Sequence, residues 1–298
     1  MPKLKAFYER KPRLTSMLLW VLAGVFTIVC FMYQDKTGPT YPLTGEIETN
    51  SGVVQYMFLR SETIGTDLKV MFLDPIPAGI EGHVQYRRYK SDDDWSTMPM
   101  EVGRFEFSRR GDSDVVNGVG AELPYLPERA GKYEYFVYID DGSESPISIT
   151  GENPIYARYK AAVPTSVLLF HIFAIFISMT VAVRTTLEAI FDGNYKWMIK
   201  ASIITLLVGA FILGPLVQWY AFGVWWSGIP FGYDWTDNKV LLELLFWLIA
   251  AYMNRGTHRN RNSVYLAGFV TMLVYFIPHS IFGSEFDYST GKGHGTAG

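Results

Sequence analysis

The chain has 298 residues, of which 49% are apolar and 16% aromatic, and its formal net charge is −3. This length accommodates two folded units, while the absence of a basic stripe excludes nucleic acid as a partner. A single cysteine, Cys30, excludes an intrachain disulfide and a cysteine-based metal site. We interpret Cys30 as a small apolar helix residue. The alternative is a lipid-anchored cysteine, but Thr27 and Val29 are poor matches to the small residues expected just before the cleavage site of such an anchor.

Five apolar runs are candidates for membrane-spanning helices, because a bilayer core takes about 20 apolar residues as a helix whose backbone groups are satisfied internally. They lie at residues 14–33, 163–183, 201–220, 239–253 and 264–282. The first is too long for a cleaved signal, and no Ala-x-Ala-like site follows it, so it is interpreted as an uncleaved signal anchor. The fourth is short, and Lys239 at its start is expected to reach the membrane surface.

The distribution of Lys and Arg in the short loops predicts the orientation of these spans. Basic residues occur before the first span, between the second and third, and between the fourth and fifth. With five spans, all three segments fall on one side. The N-terminus is therefore predicted to be cytoplasmic, and residues 34–160 and the C-terminus extracytoplasmic. The residues concerned are Lys3, Lys5, Arg10, Lys11, Arg13, Arg184, Lys196, Lys200, Arg255, Arg259 and Arg261.

Between the first two spans the pattern changes to short segments rich in Val, Tyr, Phe and Ile, bounded by turn signals such as Asp74-Pro75 and Asp141-Gly142. In residues 132–139, every second side chain is apolar, which is the period of a half-buried strand. Seven strands in this length predict a two-sheet β-sandwich. They are placed at 52–60, 67–73, 82–90, 104–109, 118–123, 132–140 and 154–159.

The stretch Val84-Gln85-Tyr86-Arg87-Arg88-Tyr89, followed by Trp95, resembles the middle strands of a fibronectin type III domain. Leu126-Pro127 followed by Tyr133 resembles the tyrosine-corner region of that fold. The resemblance covers residues 50–160 and implies an immunoglobulin-like domain that binds or braces rather than catalyses. Fold alone does not assign a function.

The five-span remainder resembles an uncharacterised group of bacterial inner-membrane proteins. The stretches that carry this resemblance are 220–225, 230–239 and 277–280. It implies a place in a bacterial envelope and no activity. The predicted organisation is a cytoplasmic N-terminus with a signal anchor (1–33), an extracytoplasmic β-sandwich (34–160), a four-helix transmembrane bundle (161–284) and an extracytoplasmic tail (285–298).

Three ionisable residues lie within predicted spans at a similar depth. At 1.5 Å per residue, His171, Glu243 and His279 are roughly 5 to 12 Å below the outer surface. Ionisable groups at this depth usually face the bundle interior and mark a site. A metal held by the three residues, a b-type haem between the histidines, a proton relay and simple hydrogen bonding between helices all remain open, and the last is favoured over a cofactor.

Four carboxylates are predicted at the outer ends of the last two spans. Asp234 and Asp237 lie in a turn-rich segment before the fourth span, where Asp237 or Thr236 is expected to cap the helix. Glu285 and Asp287 follow the fifth span. Together they predict an acidic vestibule above the two histidines.

The chain contains no catalytic motif in a suitable context, so we expect a non-catalytic accessory or scaffold subunit of a bacterial envelope membrane complex. Its outer domain would dock a periplasmic protein partner, and its spans would contact lipid and other membrane subunits. The alternative is a redox or metal-dependent protein using His171 and His279. A solute or ion conduit is a weaker alternative, since no inverted repeat is visible.

Overall fold

A computed structural model describes residues 8–109, 112–278 and 283–293, with side chains omitted at 108, 109, 112 and 113. These residues form two compact units. The helical unit comprises residues 8–38, 163–278 and 283, and the β-rich unit comprises 39–162 and 284–293. The C-terminal segment, predicted as a separate tail, thus belongs to the β-rich unit.

In the described part of the helical unit, five helices have defined bounds, and their apolar side chains form two packed clusters. The third helix contains a π-helical segment, Leu207–Leu213. The bounds are α1 Pro12–Thr37, α2 Thr165–Ile190, α3 Lys196–Phe222, α4 Trp235–Met253 and α5 Arg261–Phe276.

Only three of the five predicted spans, α1, α2 and α3, are long and apolar enough to cross a membrane among the described residues. The prediction of five full spans is therefore not supported. Helix α4 has 19 residues, but its first half carries Asp237, Lys239 and Glu243. Helix α5 has only 16 residues. It ends at Phe276 rather than Phe282 because the residue before Pro278 is disfavoured in a helical conformation.

The β-rich unit consists of two mostly antiparallel sheets that share one hydrophobic core. All seven predicted strands are present, together with four further short or exposed ones. The sheet orders are β1-β2-β4-β8-β7 and β3-β11-β9-β5-β6, and β10 pairs with β9. The bounds are β1 Leu43–Thr49, β2 Gly52–Phe58, β3 Ser61–Thr63, β4 Leu68–Leu73, β5 Glu81–Arg88, β6 Ser96–Pro99, β7 Glu101–Arg109, β8 Asp112–Leu123, β9 Lys132–Asp140, β10 Ile147–Ser148 and β11 Ile155–Lys160.

The core of this unit follows from the alternation of side chains along each strand. On β9, Tyr135, Val137 and Ile139 are fully buried, and Val84 on β5 pairs opposite Val137. Tyr133 at the start of β9 lies at the corner between β8 and β9, where its hydroxyl donates to the carbonyl of Pro124 at 2.9 Å. This bond ties the connection to the sheet.

Residues 284–293 are held on the β-rich unit by backbone and charge contacts. The amides of Phe286 and Ser289 each donate to a backbone carbonyl, of Ala130 and Lys90 respectively, at 3.0 Å. Glu285 accepts from Lys132 at 2.8 Å and also contacts Lys90. Burial acts to raise the pKa of Glu285, but the hydrogen bonds and charges of Lys132 and Lys90 outweigh it and hold this pKa below its ordinary value.

Glu285→Gln should loosen this segment, because the two lysines lose their carboxylate. A charge-assisted hydrogen bond contributes about 1.5 to 3 kcal/mol, so we expect hydrogen exchange of the Phe286 and Ser289 amides to be at least tenfold faster at neutral pH. Because the folded-state pKa is depressed, the stabilisation is present above the ordinary glutamate pKa of about 4.3 and is lost as pH falls through the folded value. Unchanged exchange at neutral pH would contradict this, and exposed Asp94→Asn is the control.

Candidate functional site

The helical unit buries polar side chains and presents apolar ones. On α4, Glu243 and Trp247 have no exposed surface and Lys239 only 4%, whereas Leu245 is 51% exposed. The same outward side of α4 and α5 is formed by large apolar residues. They are Leu242, Leu248, Ile249, Leu266, Phe269, Leu273 and Phe276. This pattern is the reverse of a helix in water. The prediction that Lys239 reaches the surface is wrong, since it is directed inward.

His171 on α2 contacts the π-helical segment of α3. Its Nδ1 lies 3.0 Å from the carbonyl oxygen of Gly209, and because a carbonyl only accepts, this nitrogen carries the proton. A side chain at Gly209 would meet the backbone of Ala174 at 3.2 Å, so glycine permits the close approach of the two helices. The π-helical segment directly precedes Gly214 and Pro215, and it accommodates a proline that has no N–H to donate.

Glu243 lies in a hydrogen-bond chain between α4 and α5. The Thr271 hydroxyl donates to Glu243 Oε1 at 2.9 Å, and the Trp247 indole donates to the Thr271 hydroxyl at 2.9 Å. Glu243 Oε2 is buried and has no hydrogen-bond partner among the described residues. One turn earlier, the Lys239 ammonium donates to the carbonyl of Ile277 at 2.7 Å. Glu243 is thus an incompletely satisfied carboxyl group inside the unit.

The described residues do not bring the predicted metal ligands together. Within the described ranges, no group of three or more His, Cys, Asp or Glu side chains is placed to hold a metal ion. His171 and Glu243 bond to different groups, Gly209 and Thr271. His279 lies outside the described residues, so a shared site with His171, whether for a metal or a haem, stays a prediction.

Asp234 and Asp237 organise the segment before α4. Asp234 caps the helix, since its Oδ1 accepts from the Thr236 amide at 2.7 Å; the expected cap at Asp237 or Thr236 is wrong. Asp237 instead reaches back into the preceding loop. Its Oδ2 accepts from the amides of Ser227 at 2.7 Å and Gly228 at 3.0 Å, and from Gln218 at 3.2 Å.

The other two carboxylates of the predicted vestibule belong to the β-rich unit. Glu285 binds Lys132 and Lys90, as described above. Asp287 Oδ1 accepts from the Ser289 hydroxyl at 2.6 Å and from the amides of Ser289 at 3.0 Å and Thr290 at 3.1 Å. These bonds, first that of the Ser289 hydroxyl, lower the pKa of Asp287. All four carboxylates therefore have local structural partners, and the vestibule stays a prediction.

The ion pair of Arg184 and Glu188, which lie four residues apart on α2, is buried. The two side chains are 3% and 5% exposed and 2.7 Å apart. Ser16 of α1 contacts Arg184 at 3.2 Å, and Tyr8 and the Asn194 amide donate to Glu188. Gly193 leaves room for this pair, since a Cβ atom there would lie 2.0 Å from Glu188 Oε1.

The three basic segments converge at one end of the helical unit. The segment before α1 contacts the end of α2 through Tyr8 and Glu188, at 2.9 Å. The loop before α3 contacts the loop after α4, where Lys196 donates to the Gly256 carbonyl at 2.8 Å and Arg259 donates to the Gly193 carbonyl at 2.9 Å. The other ends of α1 and α5 are also in contact, since the side-chain amide of Gln34, near the end of α1, donates to the carbonyl of Tyr275, near the end of α5.

Aromatic and charged side chains cover the side of β5 and β9 that faces away from the core. His83 pairs opposite Tyr138, Gln85 opposite Phe136 and Arg87 opposite Glu134, so these residues share one side of the sheet. We call this set, with Trp95, the aromatic face. Its rings are in continuous contact: His83 stacks on Tyr138 at 4.9 Å, Phe136 contacts Trp95 at 5.3 Å, and Arg87 lies over Trp95 at 4.5 Å.

The aromatic face is partly exposed within its unit. Trp95 is 39% exposed, and Tyr156, which lies beside the face on β11 because it pairs opposite Glu134, is 45% exposed. Arg87 is held in place by Glu134 at 2.7 Å. Several of these residues were predicted to lie in strands, but the surface that they form was not predicted, because the pairing register of distant strands brings them together.

Comparison with family models, with curated proteins and with solved structures finds no match for this chain at the level that would show a relationship. The functional interpretation therefore depends on the residues of the chain itself.

Asp237→Ala should release the loop between α3 and α4, because two buried backbone amides lose their acceptor. Each unsatisfied buried group costs about 1 to 3 kcal/mol, so we expect stability in detergent to fall by about 2 kcal/mol or more and proteolysis within 223–232 to accelerate. Asp234→Asn, which preserves the cap, is the matched control. Equal resistance of both variants to proteolysis would contradict the assigned role of Asp237.

Proposed function

We propose that this chain is a non-catalytic scaffold subunit of a bacterial envelope membrane complex, which docks a partner protein through the aromatic face of its β-rich unit. The observation that carries the proposal is the composition and rigidity of that face. Trp, Tyr and Arg are the residues enriched at binding hot spots, and stacked rings with a fixed arginine lose little conformational entropy when a partner binds.

Membrane insertion is supported by three helices of sufficient length and hydropathy, α1, α2 and α3. We further propose that α4 and α5 lie in the same bilayer as shorter crossings, making the protein multi-pass. The support is the apolar outer surface of both helices, with Leu245 and Phe269 more than half exposed at 51% and 56%. In water, such a surface would be costly, whereas lipid tails are an apolar surrounding.

The proposed orientation places the N-terminus in the cytoplasm and the β-rich unit outside it, in the bacterial inner membrane. Cytoplasmic loops carry an excess of Lys and Arg. The contacts of Lys196 with Gly256, and of Tyr8 with Glu188, support a common side for all three basic segments.

We propose that the β-rich unit is a fibronectin type III-like or immunoglobulin-like sandwich. The strand orders β2-β4-β8-β7 and β5-β9-β11 agree with the A-B-E-D and C-F-G sheets of such domains. The bond from Tyr133 to Pro124 agrees with a tyrosine corner. Domains of this architecture often serve recognition, which is consistent with docking.

The alternatives have less support. A metal or haem protein needs His171 to meet a second ligand, and among the described residues its Nδ1 is used by Gly209. Its Nε2 has no hydrogen bond to a described residue, and the alternative is tested by the metal content and visible spectrum of the purified protein. A conduit finds no specific support.

Docking is tested by a photo-reactive residue placed at Tyr138 in living cells. We expect one discrete adduct with another protein, and we expect Trp95→Ala to reduce its yield strongly, because loss of a hot-spot residue costs about 2 kcal/mol or more. The same photo-reactive residue at Tyr125, which is 46% exposed, is the control. An adduct no stronger than that control would contradict docking, and an adduct of two copies of this chain would replace the partner by self-association.

Orientation is tested by labelling single cysteines from outside intact spheroplasts. Cys30 is buried at 1% exposure and is first replaced by Ala. We expect a cysteine at Asp92, in the β-rich unit, to react with an impermeant maleimide, and one at Thr257, between α4 and α5, to react only after lysis. Labelling of Thr257→Cys in intact spheroplasts would refute the orientation.

A further inference from the structure

Glu243 has fewer hydrogen bonds than a buried carboxylate requires. Its side chain has no exposed surface, one oxygen accepts a single bond from Thr271 at 2.9 Å, and the other has no partner among the described residues. An ionised carboxylate can accept about four hydrogen bonds. Burial without compensating partners is far more costly for the ionised form than for the neutral acid.

A positive charge lies nearby but is bound elsewhere. Lys239 precedes Glu243 by one helical turn and is 4% exposed. Its ammonium donates to the carbonyl of Ile277 at 2.7 Å, and no ion pair within 4.0 Å joins it to Glu243 among the described residues. Side chains at this i,i+4 spacing are within reach of each other on a helix. Lys239 therefore has two alternative acceptors.

We propose that Glu243 is a reversible proton-binding site within the helical unit, with Lys239 as its mobile counter-charge. When Glu243 is neutral, Lys239 bonds to Ile277, as in the structure. When the carboxyl O–H bond breaks and its proton passes to water, the carboxylate draws the Lys239 ammonium away from Ile277. Only this proton is transferred, and no other covalent bond changes.

The groups that act on Glu243 come from two helices. On α4, the charged neighbour is Lys239. On α5, Thr271 donates a hydrogen bond to Glu243, and Tyr275 is the ionisable neighbour, on which the charge of Glu243 acts in turn. Thr271 and Trp247 remain uncharged. Because the bond from Lys239 to Ile277 joins the start of α4 to the end of α5, its release would loosen that connection. Proton binding would thus control how firmly the two helix ends are joined, independently of partner docking.

The experiment uses infrared spectroscopy of the full-length protein in liposomes. At a pH of about 6, an ordinary glutamate with a pKa of about 4.3 is ionised, so a protonated-carboxyl stretching band reports an unusual group. We expect such a band in the native protein, its loss at alkaline pH, and its absence in Glu243→Gln. Glu188→Gln is the matched control, because Glu188 is equally buried but paired with Arg184 at 2.7 Å; the band should persist there.

Two further variants keep the test decisive if Glu243→Gln does not fold. Thr271→Val should shift the band to higher frequency, because the carboxyl loses its hydrogen-bond donor. Lys239→Met should move disappearance of the band to higher pH, because the carboxylate loses its counter-charge. The absence of any such band from the native protein, or a band that survives in Glu243→Gln and is unmoved by Thr271→Val, would overturn the proposal.

Discussion

The helical unit depends on one constraint: polar side chains must find their partners inside it, because its outer surface is apolar. This requirement explains why Thr271, Trp247 and Glu243 form a chain between α4 and α5, and why Arg184 and Glu188 pair although both are buried. A buried ion pair contributes little net stability, but breaking it leaves an uncompensated charge. For Glu243 the constraint is met only in part, because its Oε2 has no hydrogen-bond partner among the described residues, and the proposed proton would compensate for this.

In the β-rich unit, the core and the aromatic face use opposite sides of the same strands. On β9, Tyr135 and Val137 fill the core, while Phe136 and Tyr138 lie on the aromatic face. Strand alternation therefore couples the proposed docking surface to the core, since a one-residue slip of register would exchange the two sets. Residues 284–293 pack on this unit through Glu285. The β-rich unit therefore contains both the segment that precedes helices α2 to α5 in the chain and the segment that follows them.

Sequence periodicity was sufficient to locate five helices and seven strands, because those signals are local. It failed where the outcome depends on distant partners. Lys239 was expected at the membrane surface, but the carbonyl of Ile277 attracts it inward. The burial of Arg184 and Glu188 depends on Ser16 of α1 and on Tyr8, which precedes α1, and the spacing of the pair along α2 does not reveal these contacts. The end of α5 was misplaced although the signal, Pro278, was local. The aromatic face required the register between β5 and β9, which a single sequence does not reveal.

The central claim is that α4 and α5, like α1 to α3, present their outer side chains to lipid. Its most direct measurement is the accessibility of a spin label at Leu245 in liposomes, compared with a label at Trp95, in a chain carrying Cys30→Ala. The account predicts that the label at Leu245 is relaxed by lipid-soluble oxygen and protected from a water-soluble nickel chelate, with the reverse at Trp95. A nickel chelate that reaches Leu245 as readily as Trp95 would contradict it.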